Sequence, residues 1–167
     1  MIATLKARSR REAVTIRRAQ FADREAIHSL IQHFARAGEM LPVPLDGIGN
    51  QGFLVAEVDG EVVACGALKF WEDGTVEIRS LAVAAHMAGR GIGKLLVRQL
   101  ASACQVALPN GVMPQLFALT LKPAFFLKVG FDIVPRGMFA AKERGDCVAC
   151  PFKDACREIA VLWRGSF

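Results

Sequence analysis

Apolar and polar positions along the chain change period several times, and each change marks a predicted element. Val14–Arg18 alternates as a short strand does. From Ala22 to Arg36 the apolar residues Ile27, Leu30, Ile31 and Phe34 recur on one helical face, with Asp23 and Glu25 in the first turn, where the helix dipole favours them. Gly38 closes that helix, and Glu39–Asn50, with two prolines and two glycines, reads as a loop. Gly52–Val58 and Glu61–Phe70 are strands joined by Asp59-Gly60, a strong hairpin signal. Trp71–Gly74 turns the chain into a further strand, Val76–Val83. After a glycine turn, Ile92, Leu95, Leu96, Leu100 and Cys104 mark a helix running to Gln105. Pro109-Asn110-Gly111 breaks the chain before the strand Gln115–Leu121. A short helix over Lys122–Val129, a strand over Gly130–Val134 and a last strand over Glu158–Trp163 complete the pattern.

The rest is organised around Val76–Gln105, which reads strand, tight turn, helix. Gly89, Gly91 and Gly93 alternate through the turn. A glycine turn feeding a helix N-terminus leaves several N–H groups unpaired, backed by the positive end of the helix dipole. Such a place takes an anion, most often a phosphate. The alternative is a plain strand-to-helix turn, but three glycines weaken a helix start unless the backbone must come close to something. The P-loop spacing fails, because it needs Gly at 88 and Ser or Thr at 95, where the chain has Ala88 and Leu95. The dinucleotide fingerprint fails at Lys94, where it needs glycine.

Composition narrows the class. With 167 residues, 53% apolar and 22% charged, the chain suits one globular domain with a sizeable core. No apolar run approaches the roughly 20 residues of a membrane span. The first residues, MIATLKARSRREA, are basic but lack the apolar stretch of a secretory signal. Five cysteines without a secretory route are expected as reduced thiols, and the protein is expected in the cytoplasm. Lys6, Arg8, Arg10, Arg11, Arg17 and Arg18 supply much of the net charge of +5. Residues 1–13 read as a solvated basic tail rather than a nucleic-acid arm, since no aromatics interleave with the charges. The balance also suits steering of a polyanionic ligand.

The central segment resembles the acyl-CoA-binding motif of the GNAT superfamily of N-acetyltransferases, Arg/Gln-x-x-Gly-x-Gly/Ala after a strand ending Leu-Ala-Val. Leu81-Ala82-Val83 and Gly91-Ile92-Gly93 match, with Gly89 as the usual extra glycine, while Ala88 departs from the first position. Pro123–Phe131, PAFFLKVGF, resembles the family's Phe-Tyr-x-Lys-x-Gly-Phe segment, with Phe126 where many members have tyrosine. The resemblance implies an α/β (α+β) fold over residues 14–167. A mixed central sheet of six to seven strands carries helices on both faces, and acyl-CoA is bound at splayed central strands. It further implies acetyl-CoA as donor, with the pantetheine amides on Leu81, Ala82 and Val83 and the pyrophosphate on the amides of Ala88, Gly89, Arg90, Gly91, Ile92, Gly93 and Lys94. The side chains of Arg90 and Lys94 either add charge there or are solvated.

Within the superfamily the chain is similar to the short stand-alone N-acetylglutamate synthases of bacterial arginine biosynthesis. Cys65-Gly66-Ala67-Leu68 leading to Glu77–Val83, Leu116–Thr120, and Asp146-Cys147-Val148-Ala149-Cys150-Pro151 with Cys156 and Glu158 carry that likeness. Met40-Leu41-Pro42 matches too, but Val43-Pro44 stands where members continue Arg-Ser, which removes a cation for an acceptor carboxylate. The resemblance implies a small amine acceptor, glutamate first, with another amine or a non-catalytic acyl-CoA sensor as alternatives; monomer and homodimer are both open.

Transfer from a thioester to an amine needs a deprotonated amine. With an amine pKa around 8, a base must take the proton at neutral pH. Glu77 is the candidate, its alternative being a strand carboxylate paired with Arg79. A thiol of pKa near 8.5 leaves with little help. The chain has no tyrosine, so Ser80, water or no acid at all must serve. Arg79, Lys122 and Lys69 are the candidate cations for an acceptor carboxylate.

Cys147, Cys150 and Cys156, in a C-terminal embellishment spanning residues 142–158, supply three ligands of a tetrahedral zinc site with no fourth in evidence. Thiols packing a local loop, or a reversible disulfide, are the alternatives, and the chemistry itself calls for no metal. Neither nucleic acid nor membrane is expected as a partner.

Overall fold

The computed structural model describes residues 13–49 and 52–166. The basic tail expected at residues 1–13 lies outside them but for Ala13. Seven strands form one sheet: β1 (Val14–Arg18), β2 (Phe53–Val58), β3 (Glu61–Phe70), β4 (Thr75–Val83), β5 (Gln115–Thr120), β6 (Phe131–Ile133) and β7 (Ile159–Trp163). Their order is β1-β2-β3-β4-β5-β7-β6. Only β4 and β5 run parallel; all other neighbours are antiparallel. Asp59 and Gly60, at φ 49° and 83°, both take the left-handed conformation that a two-residue hairpin between β2 and β3 demands.

Period-2 alternation decides which helix each strand residue meets. On one face, Ala56, Val58, Val76, Ile78 and Leu116 pack under α3 (Ile92–Ala107). On the other, Phe53 and Val55 pack under α1 (Arg24–Arg36) and the single turn α2 (Leu45–Ile48). That turn lies inside the expected loop Glu39–Asn50, where Ile48 is buried at 3% exposure. Ile48, with the partly buried Met40, Val43 and Leu45, packs this proline- and glycine-containing segment onto the same cluster as α1.

Three expectations change. Leu95 is 43% exposed, because the apolar face of α3 centres on Leu96, Leu100 and Cys104 with Val97 and Ala101, leaving Leu95 on the far side. Asp23 does more than meet a dipole: it is buried and accepts from Arg17 at 2.7 and 3.0 Å and from the Gln20 amide at 2.6 Å. Those bonds, Arg17's first, hold its carboxyl below the usual carboxylate range. Arg17 also donates to Glu57 at 2.8 and 2.9 Å, so it is a strand ion pair rather than a solvated tail charge.

A third packing cluster joins Phe117 of β5 to Phe139, whose rings stack at 3.8 Å between centroids. This stack anchors the chain just before α4's successor: α4 spans Pro123–Lys128 and α5 is the turn Ala140–Lys142. Beyond it, Val148 N–H donates to Glu143 O, an i→i+5 bond that widens the helix into a π-turn. Gly145 sits in that turn because a Cβ there would lie 2.6 Å from the Trp71 ring. The C-terminal segment is thus pressed onto the site face of the sheet. No helix among the described residues is long and apolar enough to cross a membrane.

Candidate active site

The sheet opens where its only parallel pair ends. β4 and β5 are paired from Thr75–Gln115 to Glu77–Phe117 and no further. Beyond Glu77 the edge of β4 that faces β5 has no strand partner, so its N–H and C=O groups need partners from elsewhere. On the opposite edge, Ala67 pairs with Arg79 and Cys65 with Ala82, so three residues of β4 span two of β3. The extra residue is a bulge at Ser80, which takes φ +52°. It shifts the alternation by one: Ala82, rather than Leu81, now faces the α1 side.

The result is a cleft of about 900 Å³. Leu81, Ala82, Val83, Ala88, Gly89, Gly91, Ile92, Gly93 and Lys94 all line it; Arg90 does not. Gly91, at φ +81°, caps α3 in the left-handed conformation. Leu95 N–H is the first to donate back, to Gly91 O at 3.1 Å. The amides of Ile92, Gly93 and Lys94 therefore have no acceptor within the helix and sit at its positive end. Unpaired strand edge and helix N-terminus along one cleft fit an extended ligand with amide groups at one end and phosphates at the other.

At the other end stands Glu77, 4% exposed. Lys142 Nζ lies 2.9 Å from its Oε1, and Trp71 Nε1–H donates to its Oε2 at 3.2 Å. Arg79, its expected partner, is only a loose one at 3.9 Å. Arg79 instead donates to Asp146 at 2.6 Å. Asp146 also takes Lys69 at 3.2 Å and Lys142 at 3.0 Å. Three cations thus share two carboxylates, leaving one positive charge in excess. Burial by itself would raise the Asp146 carboxyl, but the hydrogen bond and charge of Lys142, with Arg79 and Lys69, outweigh it and hold the pKa at about 2.

Lys142 and Asp146 are absent from the sequence-based candidates. Asp146 opens the Asp-Cys-x-x-Cys-Pro stretch, but no role follows from that, and its i,i+4 spacing from Lys142 reads on a helix as an ordinary surface pair. Here it is buried. Removing one partner of a buried pair costs about 3–5 kcal/mol. Lys142→Met should lower stability at pH 7 by about that much, as read by urea denaturation. The folded pKa of Asp146 lies below its unfolded value, so its stabilisation is present above about pH 4 and lost as pH falls toward about 2. Wild type should lose stability through that window, and Lys142→Met should lose less there, because without Lys142 the folded pKa of Asp146 moves back toward its unfolded value.

Of the remaining candidates, Lys122 lines the cleft but is paired with Glu39 at 2.6 Å on an exposed flank. Ser80 lines it at the bulge. The three tail cysteines do not gather as zinc ligands: among the described residues no group of three or more His, Cys, Asp or Glu is placed to hold a metal ion. Arg136 occupies the middle instead, donating to Cys156 Sγ at 2.9 Å and to Cys147 Sγ at 3.6 Å. Cys65 and Cys104 are buried in the core, where burial pushes their thiols up to about 12 and about 11.

Comparison with known proteins identifies the family. Residues 23–131 match the model of the Acetyltransferase (GNAT) family. An uncharacterized N-acetyltransferase of Chlorobaculum tepidum is 34% identical over 149 residues, covering 88% of this chain and 94% of that one. An amino-acid acetyltransferase of Mycobacterium tuberculosis is 37% identical over 70% of this chain and 67% of its own. Among solved structures, the N-acetylglutamate synthase of Neisseria gonorrhoeae, complexed with coenzyme A and N-acetyl-glutamate, superposes with a TM-score of 0.79 at 25% identity. That match covers 95% of this chain and only 36% of the synthase, so the chain spans about a third of that protein's length. The chain belongs to the GNAT family of acetyltransferases and is an acyltransferase that takes its acyl group from acetyl-CoA.

Proposed function

We propose that this enzyme acetylates the α-amine of a small amino acid, with L-glutamate the first acceptor to test. The observation that carries the reading is the excess cation of the Lys69–Arg79–Lys142 cluster at the cleft's inner end, beside Glu77. A carboxylate on the acceptor would neutralise it. The amino-acid acetyltransferase and N-acetylglutamate synthase among its relatives support the same class.

In this reading the donor lies along the open edge of β4, its pyrophosphate on the amides of Ile92, Gly93 and Lys94 at the start of α3, whereas the Ala88 N–H is already bonded to Ala85 O at 3.2 Å. Glu77 takes the amine proton, directly or through a water. Lys142 holds one oxygen of Glu77 in place and Trp71 fixes the second. The amine nitrogen then bonds to the thioester carbon, the C–S bond breaks, and the thiolate leaves and is protonated by solvent. Most of the acceleration comes from holding both substrates in line. Arg79 and Lys142 take the acceptor carboxylate, whereas Lys122 could do so only by leaving Glu39.

A thiol-release assay with acetyl-CoA against the twenty L-amino acids and spermidine tests this. At least one amino acid should turn over well above spermidine. Spermidine alone as acceptor would overturn the amino-acid reading and leave the acetyltransferase assignment standing.

A further inference from the structure

The cleft has a third carboxylate that nothing yet described uses. Glu158, half-buried, immediately precedes β7 and lines the cleft. Ile159 pairs with Thr120, the last residue of β5, so Glu158 sits just past the end of β5. It faces the opening from the wall across from β4, which carries Glu77 and Arg79. The other cleft carboxylates have cations: Lys142 for Glu77 and Lys122 for Glu39. Among the described residues Glu158 has only the Cys156 thiol, 3.8 Å from its Oε2. That thiol in turn accepts from Arg136 at 2.9 Å, so it is held in place; Arg136, which does not line the cleft, is the cation nearest in this chain of contacts and makes no ion pair with Glu158.

An uncompensated carboxylate in a half-buried cleft is electrostatically incomplete. The opposite wall is incomplete with the opposite sign. One wall carries a carboxylate without an ion pair, the other one cation more than its carboxylates. A molecule with an ammonium at one end and a carboxylate at the other satisfies both; a polyamine satisfies only the first, a dicarboxylic acid only the second.

We propose that Glu158 is the group that binds the acceptor's ammonium and so makes the enzyme select zwitterionic α-amino acids. This rests on the amino-acid reading above. Glu158 holds the ammonium at the cleft wall, and the proton is surrendered to Glu77 as the nitrogen advances on the thioester. The role is one of binding and orientation.

The test compares wild type, Glu158→Gln and Glu158→Asp by steady-state kinetics, with the L-amino acid that turns over fastest in the panel. Its α-hydroxy analogue, which lacks the ammonium, serves as competitive inhibitor. A hydrogen-bonded charge is worth enough to raise the acceptor KM roughly ten- to a hundredfold in Glu158→Gln. Glu158→Asp should recover part of that loss. The KM for acetyl-CoA, the melting temperature and the Ki of the α-hydroxy acid should stay within about twofold of wild type. In wild type the α-hydroxy acid should bind at least roughly tenfold more weakly than the amino acid binds; equal affinity would overturn the proposal even if the variants fail to fold. An unchanged acceptor KM in Glu158→Gln, or equal loss for amino and hydroxy acids, would also overturn it. Wild type that uses no amino acid yet binds acetyl-CoA would instead bring down the amino-acid reading itself.

Discussion

Replacing Glu77 by glutamine should lower turnover at pH 7 by roughly two to four decades, the usual worth of general-base catalysis. The substitution keeps the shape, and its amide oxygen can still accept from Lys142 or Trp71, which now bond Oε1 and Oε2. What it cannot do is take a proton from an ammonium. Lys142 retains Asp146 at 3.0 Å, so it keeps a carboxylate partner, while the cluster's excess positive charge rises from one to two. Acetyl-CoA affinity should barely change, since the amides of Ile92–Lys94 lie at the other end of the cleft. The pH profile separates a lost base from a disturbed fold. As pH rises toward the amine's own pKa, free amine forms unaided, and the deficit should shrink. A packing defect would leave it constant. Near wild-type turnover at pH 7 would remove Glu77 from the role of base and pass it to solvent or to another cleft carboxylate.

Much of this arrangement was legible before any coordinates, for reasons that differ by element. The turn Gly89–Gly93 and the helix after it were readable because glycine spacing and helical period are local properties, and α3 begins at Ile92 as expected. The Asp59-Gly60 hairpin was readable because few residues tolerate its two positive φ values. The bulge at Ser80 was not. Serine carries no compositional mark of a left-handed residue, and the conformation is set by the register of β3 against β4. The charge cluster was hidden for a related reason. Glu77 and Arg79 read as an i,i+2 pair on one strand, yet their chief partners, Lys142 and Asp146, are more than sixty residues away. They arrive only because Phe139 stacks on Phe117 and Gly145 lets the π-turn press against Trp71. The tail cysteines show the converse. Their spacing suggested a metal, and what decides their surroundings is Arg136, which the pattern of cysteines does not mention.

The second large effect concerns the other end of the cleft, and it needs a pair of variants. Gly91→Asp would set a carboxylate beside the amides of Ile92–Lys94, where a pyrophosphate is expected to sit. Gly91 has φ +81°, however, so any side chain there is strained, even though a Cβ would meet no atom within 4 Å. Asparagine and aspartate tolerate the left-handed conformation better than other side chains, and they do so to a similar extent. Gly91→Asn therefore carries the strain without the charge. Both variants should lose a comparable, modest amount of melting temperature. Calorimetric titration with CoA should then show Gly91→Asn binding within roughly tenfold of wild type and Gly91→Asp at least roughly a hundredfold weaker. The gap follows from one like charge set against a diphosphate at short range, where screening by salt is incomplete. It should narrow at high ionic strength, because a charge effect is screened and a strain effect is not. Equal affinities for the two variants would mean that no phosphate approaches the N-terminus of α3, and the assignment of the glycine turn would have to be given up.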